Sequence, residues 1–188
     1  ETMVWLIGLM QGVTQTPLCI DSPNAKLLAR ILEEGHVARP GMVNSVNEEG
    51  DKCETIFPLI AGTPWHVVGL TCDRDGIPAD PEKKIDIAKR IIDKADKCGV
   101  ALNQLHIDPC VMAIATMPTS MKDFERCIRG IHEYAPTVKV TGAISNISFD
   151  MPARKYVNMN CMAYAIAAGL DSATCRYSGS ASRVYRTP

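Results

Sequence analysis

The fold is indicated by two segments, HVVGLTCD at residues 66–73 and PEKKIDIAKRIIDKADKC at residues 81–98. The first segment is an unbroken apolar run of strand length that ends in Asp73. In the second, apolar residues return at helical spacing, with Pro81 in the first turn and Gly99 directly after the last. A buried strand followed by an amphipathic helix is the repeating unit of a parallel α/β sheet.

The same unit recurs along the chain. Further helices are predicted over residues 120–134 and 152–170. The polar residues that end the strands recur about every 31 residues, and eight such units come to about 248 residues, which matches a closed (β/α)8 barrel. These strand-end residues are Asp21, Asn44, Asp73, Asp108 and Asn146, and a sixth, weaker strand is predicted to end near Cys175.

The sequence supplies only about six of the eight units of such a barrel. We therefore predict an α/β fold, a partial TIM (β/α)8 barrel whose first two βα units are missing, in a domain of residues 1–175. Because a barrel removes its sheet edges only by closing, we expect this piece to be marginally stable or prone to aggregate. Residues 176–188 are rich in Ser and Arg and have no helical stripe, so we set them apart as an atypical tail, which a cloning or reading-frame artefact would also explain.

Composition argues against several classes of function. The 188 residues are 46% apolar and 22% charged with a net charge of -1, so we expect no nucleic-acid interface, which needs a basic face. No apolar run reaches the ~18 residues of a membrane span, and we expect neither a membrane contact nor a signal peptide. The eight cysteines and four histidines are scattered without ligand spacing, which favours free thiols in the reducing cytoplasm over disulfides or zinc.

The polar strand-end residues are the candidate site. In a barrel they converge at one mouth, although any one of them can instead cap the next helix. A ring of carboxylates and carboxamides offers alternating acceptors and donors, which suits a flat, neutral heterocycle such as a pterin. A divalent metal held by Asp21, Asp73 and Asp108 is the weaker alternative, and we predict that the chain binds no metal.

With these motifs in order, the chain resembles the pterin-binding methyltransferases, and more closely the methyltetrahydrofolate:corrinoid protein methyltransferases. The resemblance covers roughly residues 1–173. The motifs that carry it are LCIDS at residues 18–22, VNSV at 43–46, LTCD at 70–73 with GIP at 76–78, IDP at 107–109, SNISF at 145–149 and AIAAGLD at 165–171.

The resemblance implies a TIM barrel, usually a homodimer, that transfers the N5-methyl group of methyltetrahydrofolate to Co(I) of a corrinoid (iron-sulfur) protein. The partner carries the cobalamin-type cofactor. Asn146 near N5 and Asp108 would be catalytic, and Arg154 would lie beside the substrate unless it is only a solvated helix arginine. The whole substrate-binding set is Asp21, Asn44, Asp73, Asp108, Gly142, Ser145, Asn146 and Arg154.

The chemistry of methyl transfer requires such groups. Protonation of N5 lets the nitrogen leave as a neutral amine, and Asn146 can accept a hydrogen bond from that proton while Asp108 completes the network. Because cobalt is the nucleophile, the protein needs no nucleophile of its own. We therefore interpret Cys72 and Cys110 as packing residues.

Three alternatives stay open. Dihydropteroate synthase shares the fold, but that family carries a basic loop where this chain has SNIS at 145–148, and a glycine-rich turn where it has DPCV at 108–111. The folate domain of cobalamin-dependent methionine synthase shares the motifs. An inactive pterin-binding fragment is the third alternative, since one wall of the pocket would be missing.

Overall fold

The structure is a computed structural model that describes residues 1–176 and 182–186. Strands and helices alternate along it, as predicted. The helices are α1 Thr2–Val13, α2 Ala25–Glu33, α3 Lys52–Ile60, α4 Pro81–Lys97, α5 Ser120–Tyr134 and α6 Arg154–Ala168, with 3-10 helices at Leu102–Gln104 and Ile144–Ser148. The strands are β1 Cys19–Asp21, β2 Met42–Glu48, β3 His66–Asp73, β4 Leu105–Asp108, β5 Lys139–Val140, β6 Ser172–Arg176 and β7 Ser182–Arg186.

Local signals set the bounds of the helices. The Asp80 side chain caps α4 by accepting the Glu82 N–H at 3.0 Å, and Gly99 adopts a left-handed φ of 80° just after the helix. Helix α5 has the predicted bounds. Helix α6 is shorter than the predicted 152–170, because Ala153 lies in the left-handed region directly before it.

β1 to β5 form one parallel sheet in the order β1-β2-β3-β4-β5. β6 continues it beside β5 through a parallel bridge between Ala143 and Thr174, where the Thr174 N–H donates to the Gly142 carbonyl at 3.0 Å. Consecutive parallel strands in chain order are the arrangement of a (β/α)8 barrel, so the predicted fold class, a partial barrel, is confirmed.

The helices cover one face of this sheet, and that fact gives the direction of the β3 side chains and of their register partners. A Cβ placed on Gly69 of β3 would lie 2.9 Å from Ile91 of α4, so Gly69 faces the helices. Val68 and Leu70 therefore face the other way, because side chains alternate along a strand. We call this second face, which corresponds to the interior of the barrel, the inner face.

Two predicted strand ends lie elsewhere. Asn44 is inside β2, because β2 continues past it with register shifts and reaches a pairing of Glu48 with Asp73. Asn146 lies in the 3-10 helix Ile144–Ser148, six residues beyond the end of β5. That turn begins where the Gly142 carbonyl accepts the Ile144 N–H at 3.0 Å.

The end of the chain contains a strand where a helix would complete a barrel unit. β7 pairs antiparallel with β6 and lies within the predicted tail of residues 176–188, of which residues 177–181 and 187–188 lie outside the described part. The division of the chain into a domain of residues 1–175 and a tail stays a prediction.

Candidate functional site

Asp21 and Asn44 lie side by side on the inner face. They are register partners on β1 and β2, and the Ser22 N–H donates to the Asn44 carbonyl at 2.8 Å. Asn44 is in turn the register partner of Val68, which fixes the direction of both polar side chains. The sheet therefore brings a carboxylate and a carboxamide together, as the sequence predicted.

Asp108 ends β4 on the same face. It is the register partner of Leu70, and its carboxylate is 9% exposed. Burial raises the pKa of the Asp108 carboxyl to about 6, against the opposing effects of the Cys110 N–H, the Lys84 ammonium and the Ala143 N–H. The Cys110 N–H donates to Asp108 Oδ1 at 2.7 Å. Asp108 is thus a buried carboxyl that changes its protonation state near neutral pH.

Asn146 is connected to Asp108 through the backbone of Ala143. The Ala143 N–H is near enough to lower the pKa of the Asp108 carboxyl, and the Ala143 carbonyl accepts the Asn146 N–H at 3.0 Å. The 3-10 helix that carries Asn146 therefore follows directly after a residue that lies beside Asp108. Although Asn146 is not at a strand end, this linkage keeps it near Asp108.

Arg154 fastens this 3-10 helix from the first turn of α6. Its Nε donates to Ser148 Oγ and its Nη2 to the Ser145 carbonyl, both at 2.9 Å. Its guanidinium also lies over the Phe149 ring, 4.9 Å from the centroid. These contacts place Ser145 and Arg154 next to Asn146, and their contact with a substrate stays a prediction.

Gly142 is required by packing at this point. A Cβ on Gly142 would lie 2.7 Å from Phe124 Cζ of α5, on the helix side of the sheet. The residue allows the chain to turn from β5 into the 3-10 helix close against α5. Its predicted contact with a substrate is not tested by this geometry.

Asp73 is not brought to the inner face. It follows Cys72, and its carboxylate accepts the Asp75 N–H at 3.0 Å and lies 3.9 Å from Arg90 of α4. These partners direct Asp73 towards the helices, away from Asp21, Asn44 and Asp108. Its place in the binding set stays a prediction for which the structure offers no contact.

The sequence analysis missed two features of the sheet. Amphipathic spacing in residues 81–98 predicts solvent-exposed lysines, yet Lys84 is 4% exposed and its Nζ donates to the Cys110 carbonyl at 2.9 Å. Its position four residues before Ala88 on the buried stripe was the available signal. His66 and His106, forty residues apart, are joined by a 2.9 Å hydrogen bond between Nδ1 and Nε2.

The two cysteines near the site are weak nucleophiles. Burial raises the pKa of Cys110 to about 12, with Asp108 adding to the effect, and burial also raises the pKa of Cys72. Both thiols stay protonated at neutral pH, which supports their interpretation as packing residues. All seven cysteines whose side chains the structure describes are free thiols.

Two features of the described residues concern metal-ligating side chains and membrane-spanning helices. Within residues 1–176 and 182–186, no group of three or more His, Cys, Asp or Glu side chains is arranged to hold a metal ion. None of the helices found in these residues combines the length and hydropathy that crossing a bilayer requires.

Comparison with known proteins identifies a matching family model and similar sequences. A family model described as pterin binding enzyme matches residues 1–175. The chain is 41% identical over 175 residues to a methylcorrinoid:tetrahydrofolate methyltransferase of Eubacterium limosum, covering 92% of this chain and 64% of that protein. It is 36% identical over 180 residues to a methionine synthase of Mycobacterium leprae, covering 89% of this chain and 15% of that protein.

Solved structures support the fold. Dihydropteroate synthase from Stenotrophomonas maltophilia superposes with a TM-score of 0.68 at 17% identity, over 92% of this chain and 68% of the other. The synthase from Xanthomonas albilineans gives 0.63 at 17% identity, over 89% of this chain and 62% of the other. At this level of identity the likeness shows a shared fold alone.

Proposed function

This chain belongs to the pterin-binding enzyme family, and we propose that it is the pterin-binding part of a methyltransferase that acts between methyltetrahydrofolate and a corrinoid protein. The chain spans 64% of the length of the methyltransferase that it resembles at 41% identity. Activity, substrate and partner are therefore proposed for the whole protein, to which this chain contributes the residues of the site.

The linkage from Asp108 through Ala143 to Asn146 carries the proposal. It connects the buried Asp108 carboxyl to the backbone of Asn146 within one turn, beside the inner face where Asp21 and Asn44 lie. A pterin ring presents amino and lactam edges that need both donors and acceptors, and this set offers both. A phosphate group placed on this face would be repelled by the same carboxylates.

The site residues serve the leaving nitrogen. The methyl–N5 bond breaks, its electron pair stays on N5, and the methyl group bonds to Co(I), which supplies the new pair. A proton already on N5 makes the product a neutral secondary amine. Asn146 Oδ1 accepts a hydrogen bond from that proton, and the nearby Asp108 carboxylate favours the protonated amine.

The reaction can run in either direction on these residues. The Eubacterium limosum relative is named for transfer from a methylcorrinoid to tetrahydrofolate, the reverse of the direction predicted from the sequence. Reversal leaves N5 with a proton to lose, and the same hydrogen bonds stabilise that transition state. We propose transfer from methyltetrahydrofolate to the corrinoid as the assayed direction and expect the reverse reaction as well.

We further propose the partner, the assembly and the location. The partner is a corrinoid protein, iron-sulfur in the form that the sequence resemblance implies, and the enzyme is a homodimer in the cytoplasm. The relatives' names support a corrinoid partner, and the free thiols are compatible with a reducing compartment.

Isothermal titration of methyltetrahydrofolate into this chain is the first test. Micromolar binding is expected, and an absence of binding would favour the inactive fragment.

Asn146→Ala in the whole protein should lower kcat for methyl transfer by about 100-fold or more, because one preorganised hydrogen bond is lost. Asn103→Ala, an exposed asparagine of the 3-10 helix Leu102–Gln104, is the matched control.

Two other outcomes separate the related activities. Condensation of p-aminobenzoate with a pterin pyrophosphate would establish a dihydropteroate synthase. The chain could instead be the folate domain of a methionine synthase. Methyl transfer to cobalamin that occurs only when the chain is joined to the other domains of such an enzyme would establish that function. Unchanged turnover in Asn146→Ala would remove the role assigned to this residue.

A further inference from the structure

We propose that Lys84 is a positioning residue of the pterin site, which holds the turn after β4 through the Cys110 carbonyl and keeps a positive charge beside Asp108. The expected effect of Lys84 on substrate binding rests on the proposed function. The contacts of Lys84 do not depend on that function, because they lie within the chain.

Burial is the first argument. Lys84 is 4% exposed on α4, whereas its neighbour Lys83 is exposed. Removing an ammonium group from water costs several kcal/mol unless partners compensate it. An apolar residue of similar length would fill this position on the stripe of α4 at no such cost. The charge is therefore better explained by the groups it faces than by packing.

The turn after β4 is the second argument. Cys110 has a φ of 56°, in the left-handed region, which is unfavourable for a residue with a Cβ. Both of its peptide groups are held, since its N–H donates to Asp108 Oδ1 at 2.7 Å and its carbonyl accepts from Lys84 Nζ at 2.9 Å. Lys84 and Asp108 thus each bind one backbone group of Cys110.

The charges near Asp108 are the third argument. Lys84 lowers the pKa of the Asp108 carboxyl, opposing the larger effect of burial. Asp108 therefore remains mostly a carboxylate at neutral pH, in the form that accepts hydrogen bonds from a pterin. The other groups that face Asp108 or Lys84 are the Cys110 and Ala143 N–H groups and the thiols of Cys110 and Cys127, with Cys72 beside Cys110.

Lys84→Met tests the proposal, because methionine keeps the length of the side chain and removes the charge. Carbon-13 NMR titration of the Asp108 carboxyl, assigned with Asp108→Asn, should show its pKa rise by about 1. Because the ionised fraction of Asp108 at pH 7 would fall from about nine tenths to about one half, the affinity for methyltetrahydrofolate at pH 7 should fall about 2-fold and recover as the pH is raised above 8. Lys83→Met, with the same charge change on the exposed face of α4, should move neither quantity.

An unchanged Asp108 pKa in a folded Lys84→Met variant would overturn the proposal, whatever the protein binds. If that variant does not fold, Lys84→Gln takes its place with the same expectation. The two proposals fail separately: a raised pKa in a chain that binds no methyltetrahydrofolate supports the electrostatic role of Lys84 and counts against the proposed function.

Discussion

Asp108 is the residue at which stability and function oppose each other. It is buried near an oppositely charged lysine and accepts the Cys110 N–H, yet burial still dominates and raises the pKa of its carboxyl to about 6. A carboxyl that is held ionised in a buried site at neutral pH destabilises the fold. Such residues are typical of functional sites.

Asp108→Asn should therefore stabilise the chain at neutral pH while weakening pterin binding. The folded-state pKa is raised, so the stability that this carboxyl contributes is full below about pH 3.8 and is lost as the pH rises through about 6. Denaturant unfolding at pH 7.5 should show a gain of up to roughly 3 kcal/mol. The gain should shrink to nothing near pH 4.

Asp96→Asn, at an exposed position of α4, is the control for that measurement. It should change the free energy of unfolding little at either pH. A gain for Asp108→Asn that is equal at pH 4 and pH 7.5 would contradict the raised pKa, since an uncharged packing effect would not depend on pH.

Gly142→Ala should destabilise the chain by about 1–3 kcal/mol, because the new Cβ would overlap the Phe124 ring. Thermal unfolding measures the effect. Adding Phe124→Leu should restore part of the loss by removing the overlapping atoms. Gly12→Ala, where a Cβ would meet nothing within 4 Å, is the matched control, and a loss as large in that variant would contradict the clash.

At the scale of elements, the 3-10 helix Ile144–Ser148 follows β5 and carries Ser145 and Asn146 of the candidate site. Its start is fixed by the Gly142 carbonyl and by Ala143, and its end by the two hydrogen bonds from Arg154. Short 3-10 segments have few hydrogen bonds of their own, so contacts from α6 determine how firmly Asn146 is held.

Arg154→Met should loosen this helix without unfolding the sheet. Hydrogen exchange at the amides of Asn146 and Phe149 should accelerate, because the Ser145 carbonyl and the Ser148 hydroxyl lose a charged donor. In the whole protein, kcat should fall about 10-fold to 100-fold as Asn146 loses its alignment.

Lys155→Met is the control for the loss of a positive charge from α6, since Lys155 is the exposed neighbour of Arg154. Equal exchange rates in Arg154→Met and the unmodified chain would show that Arg154 does not hold the helix. A direct role in substrate contact, as the sequence resemblance implies, would then be the better explanation of any loss of activity.

At the scale of the whole molecule, the most unusual surface is that of α1, because it exposes large apolar side chains. Trp5, Leu6, Leu9, Met10 and Val13 are all exposed on a helix without a charged residue. An apolar face of this size favours association with other chains. With a net charge of -1, the chain has little electrostatic repulsion to prevent it.

Leu9→Lys combined with Val13→Lys should reduce self-association of the chain. Sedimentation velocity and light scattering should show smaller species, because two charges interrupt the apolar face. Gln15→Lys combined with Thr16→Lys adds the same charge at exposed positions beyond α1 and should help less. Equal improvement in both variants would attribute the effect to added lysines at any exposed position and not to the apolar face of α1.

Much of the architecture was predictable because it depends on local periodicity. The bounds of α5, the start of α4 and the alternation of strands with helices follow from apolar spacing, prolines and caps within single segments. That Asp21 and Asn44 lie on one edge region of the sheet was also predictable, since neighbouring parallel strands run in register, although Asn44 proved to lie inside β2 and not at its end.

Local pattern in the sequence was enough for the repeating unit of the fold, the family and the residue types of the site, because these are properties of short segments and of their order. The direction of Asp73 towards α4, the place of Asn146 beyond β5 and the contact of His66 with His106 followed only from the folded chain. They depend on strand register and on helix packing against the sheet, which join segments that no local pattern connects, whereas the burial of Lys84 did leave a signal in the spacing of α4.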